Sequence, residues 1–411
     1  MRICIKSIVA AIAFTLLAAA GAKAAELKAE VIHWWTSGGE SAAVKVFADQ
    51  FTKAGGVWVD TAIAGGANAR TAAINRVVGG KPPTAMQFNT GKQFDDLVAN
   101  DMLADLEAYA KEGNWRGIMP ASFVEAATRN GKFYAVPVNI HGQNWLWYNK
   151  SVMEKAGVTP PTNFDDLFAA LDKLKAAGVV PLAFGGQKNW ERALFSYTLV
   201  GKGGQKLYDS VYGKRDSAAI NSPGFREVAD TYARLRGYVD SGSPGRNWND
   251  ATTMVIAGKA AMQFMGDWAK GEFTAAGLTP GKEYGCTVLG QGYMIGGDVF
   301  AMAKTKDPDQ IAAQKLLAKV LVDPETQLKF AEKKGSVPVR LDLNVSSLDA
   351  CAQISMKMAA DPARQTPAME LLTPASVTGA LEDVISEYWN TPSMKSEAFI
   401  AKFAQTLKES M

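Results

Sequence analysis

From residue 25 onward the chain alternates short apolar runs with stretches of helical period, the pattern of an α/β architecture. Residues 31–35 read as a buried strand that runs into Thr36-Ser37-Gly38-Gly39-Glu40, a polar turn with helix N-cap chemistry. Val44, Phe47 and Phe51 then fall at i, i+3 and i+7, one apolar helix face. Residues 58–63 and 85–88 supply second and third strands. Between them residues 70–78 form a helix, stopped by Gly79-Gly80-Lys81-Pro82-Pro83. The opening is therefore predicted as β-α-β-α-β. In open α/β sheets ligands lie at the carboxyl ends of the strands. Those ends hold Trp34, Trp35 and Glu40 in one turn and Gln87, Asn89 and Lys92 in another.

Further on, Asn130-Gly131-Lys132 is a turn and residues 133–138 resume strand character, broken by Pro137. Residues 138–150 carry His141, Asn144, Trp145, Trp147 and Tyr148. A helix with Leu167, Leu171 and Leu174 on one face precedes a strand at 179–184. Residues 202–216, rich in glycine and charge, read as a surface loop with a short helix. Residues 380–411 read as one amphipathic helix, with Leu381, Val384, Ile385 and Tyr388 spaced three to four apart. There is no internal repeat and no low-complexity linker. Two lobes without a linker imply that the chain crosses between them more than once.

Length agrees with two lobes, because 411 residues exceed one ordinary domain of about 100–200 residues. The N-terminus changes the charge picture. Arg2 and Lys6 precede an apolar run of 13 residues, 8–20, and then Ala22-Lys23-Ala24, the order of a cleaved secretory leader over residues 1–24. That run is short of the roughly 20 residues a membrane-spanning helix needs. Without the leader, Lys+Arg falls from 44 to 41 and equals the 41 Asp+Glu. A neutral chain has no electrostatic footprint for nucleic acid or anionic lipid. An exported, periplasmic protein is expected. Cys286 and Cys351 remain, an even pair in an oxidising compartment, which favours a disulfide over two separately buried thiols.

Enzyme signatures are absent from the sequence: no P-loop, H-E-x-x-H, G-x-S-x-G or Cys/His zinc spacing, and no metal or cofactor is expected. Of the two histidines, His33 sits in the first strand and reads as a core residue. Glu40 with Asp267 or Asp298 is the carboxylate pairing a secreted glycosidase would use. The tryptophans point elsewhere. Trp34-Trp35-Thr36-Ser37, Trp248-Asn249-Asp250 and Gly266-Asp267-Trp268 each set a flat apolar ring beside short donors and acceptors. Any one of them is as readily ordinary packing, but three in that setting favour a ligand with an apolar face and an edge of hydroxyls. A sugar is such a ligand, with carboxylates accepting from its hydroxyls and Lys, Asn and Gln donating to its oxygens.

At these residues the sequence resembles family 1 of the extracellular solute-binding proteins of bacterial ABC sugar importers, and within it the glucose/mannose type. The likeness is carried by residues 34–40, Gly131-Lys132-Phe133-Tyr134-Ala135-Val136-Pro137 with Trp147-Tyr148-Asn149-Lys150, residues 258–268, and Lys334-Gly335-Ser336-Val337-Pro338-Val339-Arg340. The resemblance implies a two-lobed periplasmic binding fold crossing near Asn139, Gly297 and Arg340. Its lobes would comprise residues 25–138 with 298–340, and 139–297 with 341–411. It implies a monomer that closes on a sugar and delivers it to a membrane permease. Trp35 and Trp268 would stack on the pyranose and Trp34 would shape the pocket. Glu40, Gln87, Lys92, Asp298 and Lys334 would bond hydroxyls, with Gly66, Asn89, Asn139, His141 and Trp248 in support. The pair Cys286/Cys351 falls where the family places a disulfide. One departure stands out: glucose-type members carry a ligand histidine in Pro-Ser-x-x-His-Gly, and here Pro367-Ala368-Met369-Glu370-Leu371-Leu372 has none. Glu370 is the candidate substitute, or the ligand is a different epimer, a substituted sugar or a disaccharide. A non-sugar solute such as a polyol on the same fold is the other open reading.

Overall fold

The computed structural model describes residues 27–409, so the predicted leader lies outside the described residues. Strand Leu27–His33 pairs in parallel with Gly56–Ala62 on one side and Ala85–Asn89 on the other. Helices Gly38–Lys53 and Gly66–Val78 make the returns. The predicted β-α-β-α-β opening is thus present, with the second helix starting four residues early at Gly66. Asp298–Met302 runs antiparallel beside Ala85–Asn89, and Ala135–Pro137 closes the far edge of this five-stranded sheet. Phe47, Phe51, Phe300 and Phe330 fill one face and Phe88 and Phe94 the other.

A second sheet joins Tyr284–Val288, Trp145–Asn149, Ala260–Met265 and Val180–Leu182. Its core gathers Leu167, Leu171 and Leu174 as predicted, together with Phe195, Tyr232, Phe399 and Phe403. Between the two lies a small sheet of Gln365–Pro367, Tyr293–Gly296 and His141–Gly142. The chain leaves the first sheet after Pro137 and returns to it at Asp298. A further bridge, Ile140 to Val337, lies beside both passages. Among the described residues no helix is long and apolar enough to cross a membrane.

Two expectations are corrected. Residues 202–216 are no surface loop: helix Lys188–Tyr208 runs into them, kinks at Gly204 (φ +81°) and continues as the wide turn Asp209–Gly213. Tyr208, Val211 and Tyr212 are fully buried there, and their packing outweighs the poor helix propensity of Gly201, Gly203 and Gly204. The tail is two helices, Ala375–Asn390 and Ser396–Glu409, parted where Pro392 removes a backbone donor. His33 is a satisfied core histidine: Nε2 lies 2.8 Å from Asp60 Oδ1, and Nδ1 accepts from the Trp35 amide at 3.2 Å. Cys286 and Cys351 are bonded, with Cα atoms 6.2 Å apart, inside the usual span for a bridge.

Candidate functional site

Period-two geometry assembles the first half of the site. Asp298 lies opposite Asn89 and Phe300 opposite Gln87, so Asp298, Asn89 and Gln87 share one face of the first sheet. Gln87 Nε2 and Asn89 Nδ2 donate to Asp298 Oδ1 at 3.1 and 3.2 Å. Its other oxygen takes Asn139 Nδ2 at 3.0 Å and His141 Nε2 at 2.8 Å. Asn139 Oδ1 accepts the Asp298 amide at 2.8 Å, which fixes the orientation of that side chain. His141 Nδ1 reaches Asp267 from the far side, and Asp267 Oδ2 also accepts the Gly142 amide at 2.7 Å.

The result is a buried carboxylate–imidazole–carboxylate junction joining the first sheet, the small middle sheet and the end of strand Ala260–Met265. Burial alone would lower the His141 pKa. The charges of Asp267 and then Asp298 reverse this and hold it at about 9. With both ring nitrogens donating, Asn139 Nδ2 is a neighbour of the ring and gives its proton to Asp298. Burial likewise pushes Asp298 up, and His141, then Lys334, more than offset it, so its carboxyl sits below the usual range. The sign follows. A histidine raised from about 6.5 to about 9 contributes stability that is complete below pH 6.5 and is lost as pH rises through 9. Unfolding by urea at pH 6.5 and pH 9.5 should differ by up to about 3 kcal/mol in favour of the lower pH. His141→Gln should flatten that part of the profile. A wild-type profile flat from pH 7 to 9.5 would remove the charged His141.

Beside the junction stands a second buried ion pair. Helix Pro324–Lys334 ends at Gly335, whose φ of +90° terminates it. A Cβ at Gly335 would lie 2.2 Å from the Asp267 carbonyl oxygen, so only glycine lets this turn sit against the junction. Lys334 Nζ reaches Glu40 Oε1 at 3.0 Å and lies 5.7 Å from the Trp35 ring and 5.8 Å from the Trp268 ring. Glu40 is carried on the first turn of helix Gly38–Lys53, capped by Ser37 as predicted. The ammonium is therefore within cation–π range of both indoles. Trp268 meets His141 edge-on at 5.1 Å. Among the described residues neither its buried indole nitrogen nor that of Trp35 has a hydrogen-bond partner. Glu272, on helix Ala269–Ala275, accepts from Ser37 Oγ at 2.7 Å and the Gly39 amide at 2.8 Å, tying the Glu40 helix to the second sheet's layer.

Residues 35–327 match the bacterial extracellular solute-binding protein family. The chain belongs to that family. A probable sugar-binding periplasmic protein of Mesorhizobium japonicum is 39% identical over 403 residues, 94% of this chain and 95% of its own. An ABC transporter extracellular-binding protein of Pyrococcus horikoshii is 30% identical over 378 residues, covering 87% and 82%. In fold, a chitin oligosaccharide binding protein superposes with a TM-score of 0.77 at 21% identity, over 93% of this chain and 98% of that one. The fold is thus that of the two-lobed solute-binding proteins.

In this solute-binding protein Glu40, Gln87, Asn89, Asn139, His141, Trp268, Asp298 and Lys334 come together around the two ion pairs. Trp35 is 1% exposed, packed among Phe47, Phe300 and Phe330, and presents itself to the site beneath Lys334. Trp34 lies alongside, its amide donating to Gln87 Oε1 at 3.0 Å. Gly66 opens the next helix beside that ring, and a Cβ there would make only an ordinary contact with it at 3.5 Å, so the site does not require glycine at this position. Trp248 stands farther out, 6.4 Å from Trp190, which is itself 6.0 Å from Trp268. Lys92 is exposed and is not brought into the cluster. Trp190, Glu272 and Arg70 were not among the residues singled out from sequence. Trp190 carries the same signal as Trp248, a tryptophan among polar residues at a helix start; Glu272 and Arg70 carry none.

Proposed function

We propose that this chain is the periplasmic sugar receptor of an ABC importer, binding a mono- or small oligosaccharide between lobes 27–138 with 298–340 and 139–297 with 341–409. One observation carries the reading: Lys334, paired with Glu40, lies within cation–π range of both the Trp35 and Trp268 indoles near Asp298, with donors and acceptors drawn from both sheets. Indole faces suit the C–H face of a pyranose, and fixed charges suit its hydroxyls. The designation of the Mesorhizobium relative as sugar-binding and periplasmic, and that of the Pyrococcus relative as an ABC transporter component, support it. Closure follows from the same placement: ligand contacts made from both lobes favour the state in which the lobes meet. Within this reading a glucose/mannose-type ligand is the first to try.

The glycosidase alternative loses ground on the same geometry. Glu40 is paired with Lys334, and Asp298 is held ionised by His141, whereas cleavage needs one carboxyl kept protonated. The test is a thermal-shift screen of residues 25–411 against glucose, mannose, galactose, xylose, common disaccharides and polyols, with calorimetry on each hit. At about 1 mM ligand and a Kd near 1 μM, stabilisation should reach about 4 kcal/mol. Trp268→Ala should weaken the hit at least about tenfold by removing a stacking face. Stabilisation by polyols alone, or turnover of aryl glycosides, would overturn the receptor reading.

A further inference from the structure

Two glycines bring the lobes together backbone to backbone beside the ion pairs. A Cβ at Gly39, in the first turn of helix Gly38–Lys53, would lie 2.4 Å from the Gly271 carbonyl carbon. A Cβ at Gly271, on helix Ala269–Ala275, would lie 2.8 Å from the Lys333 carbonyl oxygen. Both glycines lie within helices and neither has a positive φ. Close approach, not backbone conformation, is what requires them. Three helices therefore meet here through their backbones. Val44, Phe47 and Phe330 root two of them in the core of the first sheet, and Ala269 and Phe273 root the third in the core beneath the second. The contact is a seam between the two lobes.

Glu272 crosses that seam. Its Oε1 accepts from Ser37 Oγ at 2.7 Å and from the Gly39 amide at 2.8 Å. The Gly39 amide is one of the first-turn donors that a helix cannot satisfy internally. Ser37, the N-cap, accepts the Glu40 amide at 3.4 Å. One lobe thus completes the helix cap of the other, and a carboxylate at that end suits the helix dipole. The capped helix carries Glu40, whose partner Lys334 ends the third helix of the seam. Parting the lobes would return the Gly39 amide and the Glu272 carboxylate to water, and would carry Trp268 away from Trp35.

We propose that this seam is a closure latch: Glu272, without touching the sugar, holds the lobes shut over it. This deepens the receptor reading and rests on it. Gly39 and Gly271 admit the approach, and Glu272 makes the bonds that only closed lobes can offer. A contact made in the closed state alone shifts the open–closed balance toward closure. It therefore slows escape of the ligand and leaves the first encounter with the open cleft unchanged. It also adds the same increment for every sugar over which the lobes can close. Glu272 is thus a positioning residue that sets affinity, while the groups around Lys334 and Asp298 set which sugar is bound.

The test reads equilibrium and rate separately on residues 25–411. Titration calorimetry ranks glucose, mannose, galactose, xylose, maltose and cellobiose, and stopped-flow tryptophan fluorescence follows the tightest. Glu272→Ala should weaken each sugar about tenfold, the effect of a lost helix cap and its charge. The loss should fall in the dissociation rate, with association within about twofold and the order of the sugars unchanged. Glu272→Gln keeps the accepting oxygen and should recover most of the loss. A methyl group at Gly39 suits a helix but fills the seam. Gly39→Ala should therefore fold normally and lose the sugar-dependent fall in radius of gyration that X-ray scattering records for the wild type. Should one of the alanine variants fail to fold, the other decides. Affinity and dissociation within about twofold of wild type in Glu272→Ala would overturn the latch and leave the receptor reading intact. So would a reordering of the sugars, undiminished compaction in Gly39→Ala, or failure of both alanine variants to fold. A wild-type protein that binds none of these sugars would overturn both.

Discussion

Asp298→Ala should cost about 3–5 kcal/mol of unfolding free energy at pH 7, because it removes one of the two carboxylates that hold a buried imidazolium and the acceptor of three buried amides. Asp298 is 2% exposed and accepts from Gln87, Asn89, Asn139 and His141. Alanine strands three side-chain amides, and the imidazolium keeps Asp267 alone. The penalty should shrink at pH 10. There the wild-type His141 is itself neutral, so its attraction to Asp298 no longer contributes to the wild type's advantage. Asp298→Asn keeps the shape and one acceptor, and should cost less than alanine while lowering the His141 pKa. Sugar affinity should fall at least about tenfold in both, since Asp298 lies between the lobes among the proposed hydroxyl partners. Urea unfolding at pH 7 and pH 10, with NMR titration of His141, reads all three effects. An alanine variant within about 1 kcal/mol of wild type at pH 7 would mean the junction is not the buried charged unit described.

How much of this is legible in the chain depends on the distance over which residues must meet. Gln87 and Asn89 are separated by two positions at a strand end, so local period alone puts them on one face and at the ligand end of the sheet. Ser37 as a cap for the Glu40 helix is equally local. Lys334 pairs with Glu40 across 294 positions, and only resemblance to a family brings those two into one sentence. Asp267 and Asp298 lie on elements whose own patterns are ordinary, and His141 joins them only once the sheets meet. The misread segment at 202–216 teaches the converse. Its glycines and charges are real local signals, but Tyr208, Val211 and Tyr212 pack into a core built by residues far away. Pro392, by contrast, was a local signal for the break between the last two helices.

Cys351→Ser should lower stability by about 4 kcal/mol, from the loss of a bridge that closes a loop 65 residues apart in sequence. The bridge has a defined place in the fold. Helix Ala350–Ala360 packs Ala352 into the first lobe's core, while Cys351 belongs to the core beneath the second sheet. The disulfide ties this helix to strand Tyr284–Val288. Two polar contacts hold the same helix: the Lys270–Asp349 ion pair at 2.5 Å and the bond between Tyr293 and Ser355. Because these remain, the serine variant should keep its native fold and the same far-UV spectrum. The loss comes chiefly from the greater freedom of the unfolded chain. Reduction of the wild type should then reproduce the variant's midpoint in urea, with no further effect of reductant on Cys351→Ser itself. Sugar affinity should stay within about threefold, since the bridge touches none of the groups around Lys334 and Asp298. A variant as stable as the oxidised wild type would show that the bridge constrains nothing the other contacts do not. A large loss of affinity would instead mean that this helix, not only the passages after Pro137 and before Asp298, sets how the two lobes meet.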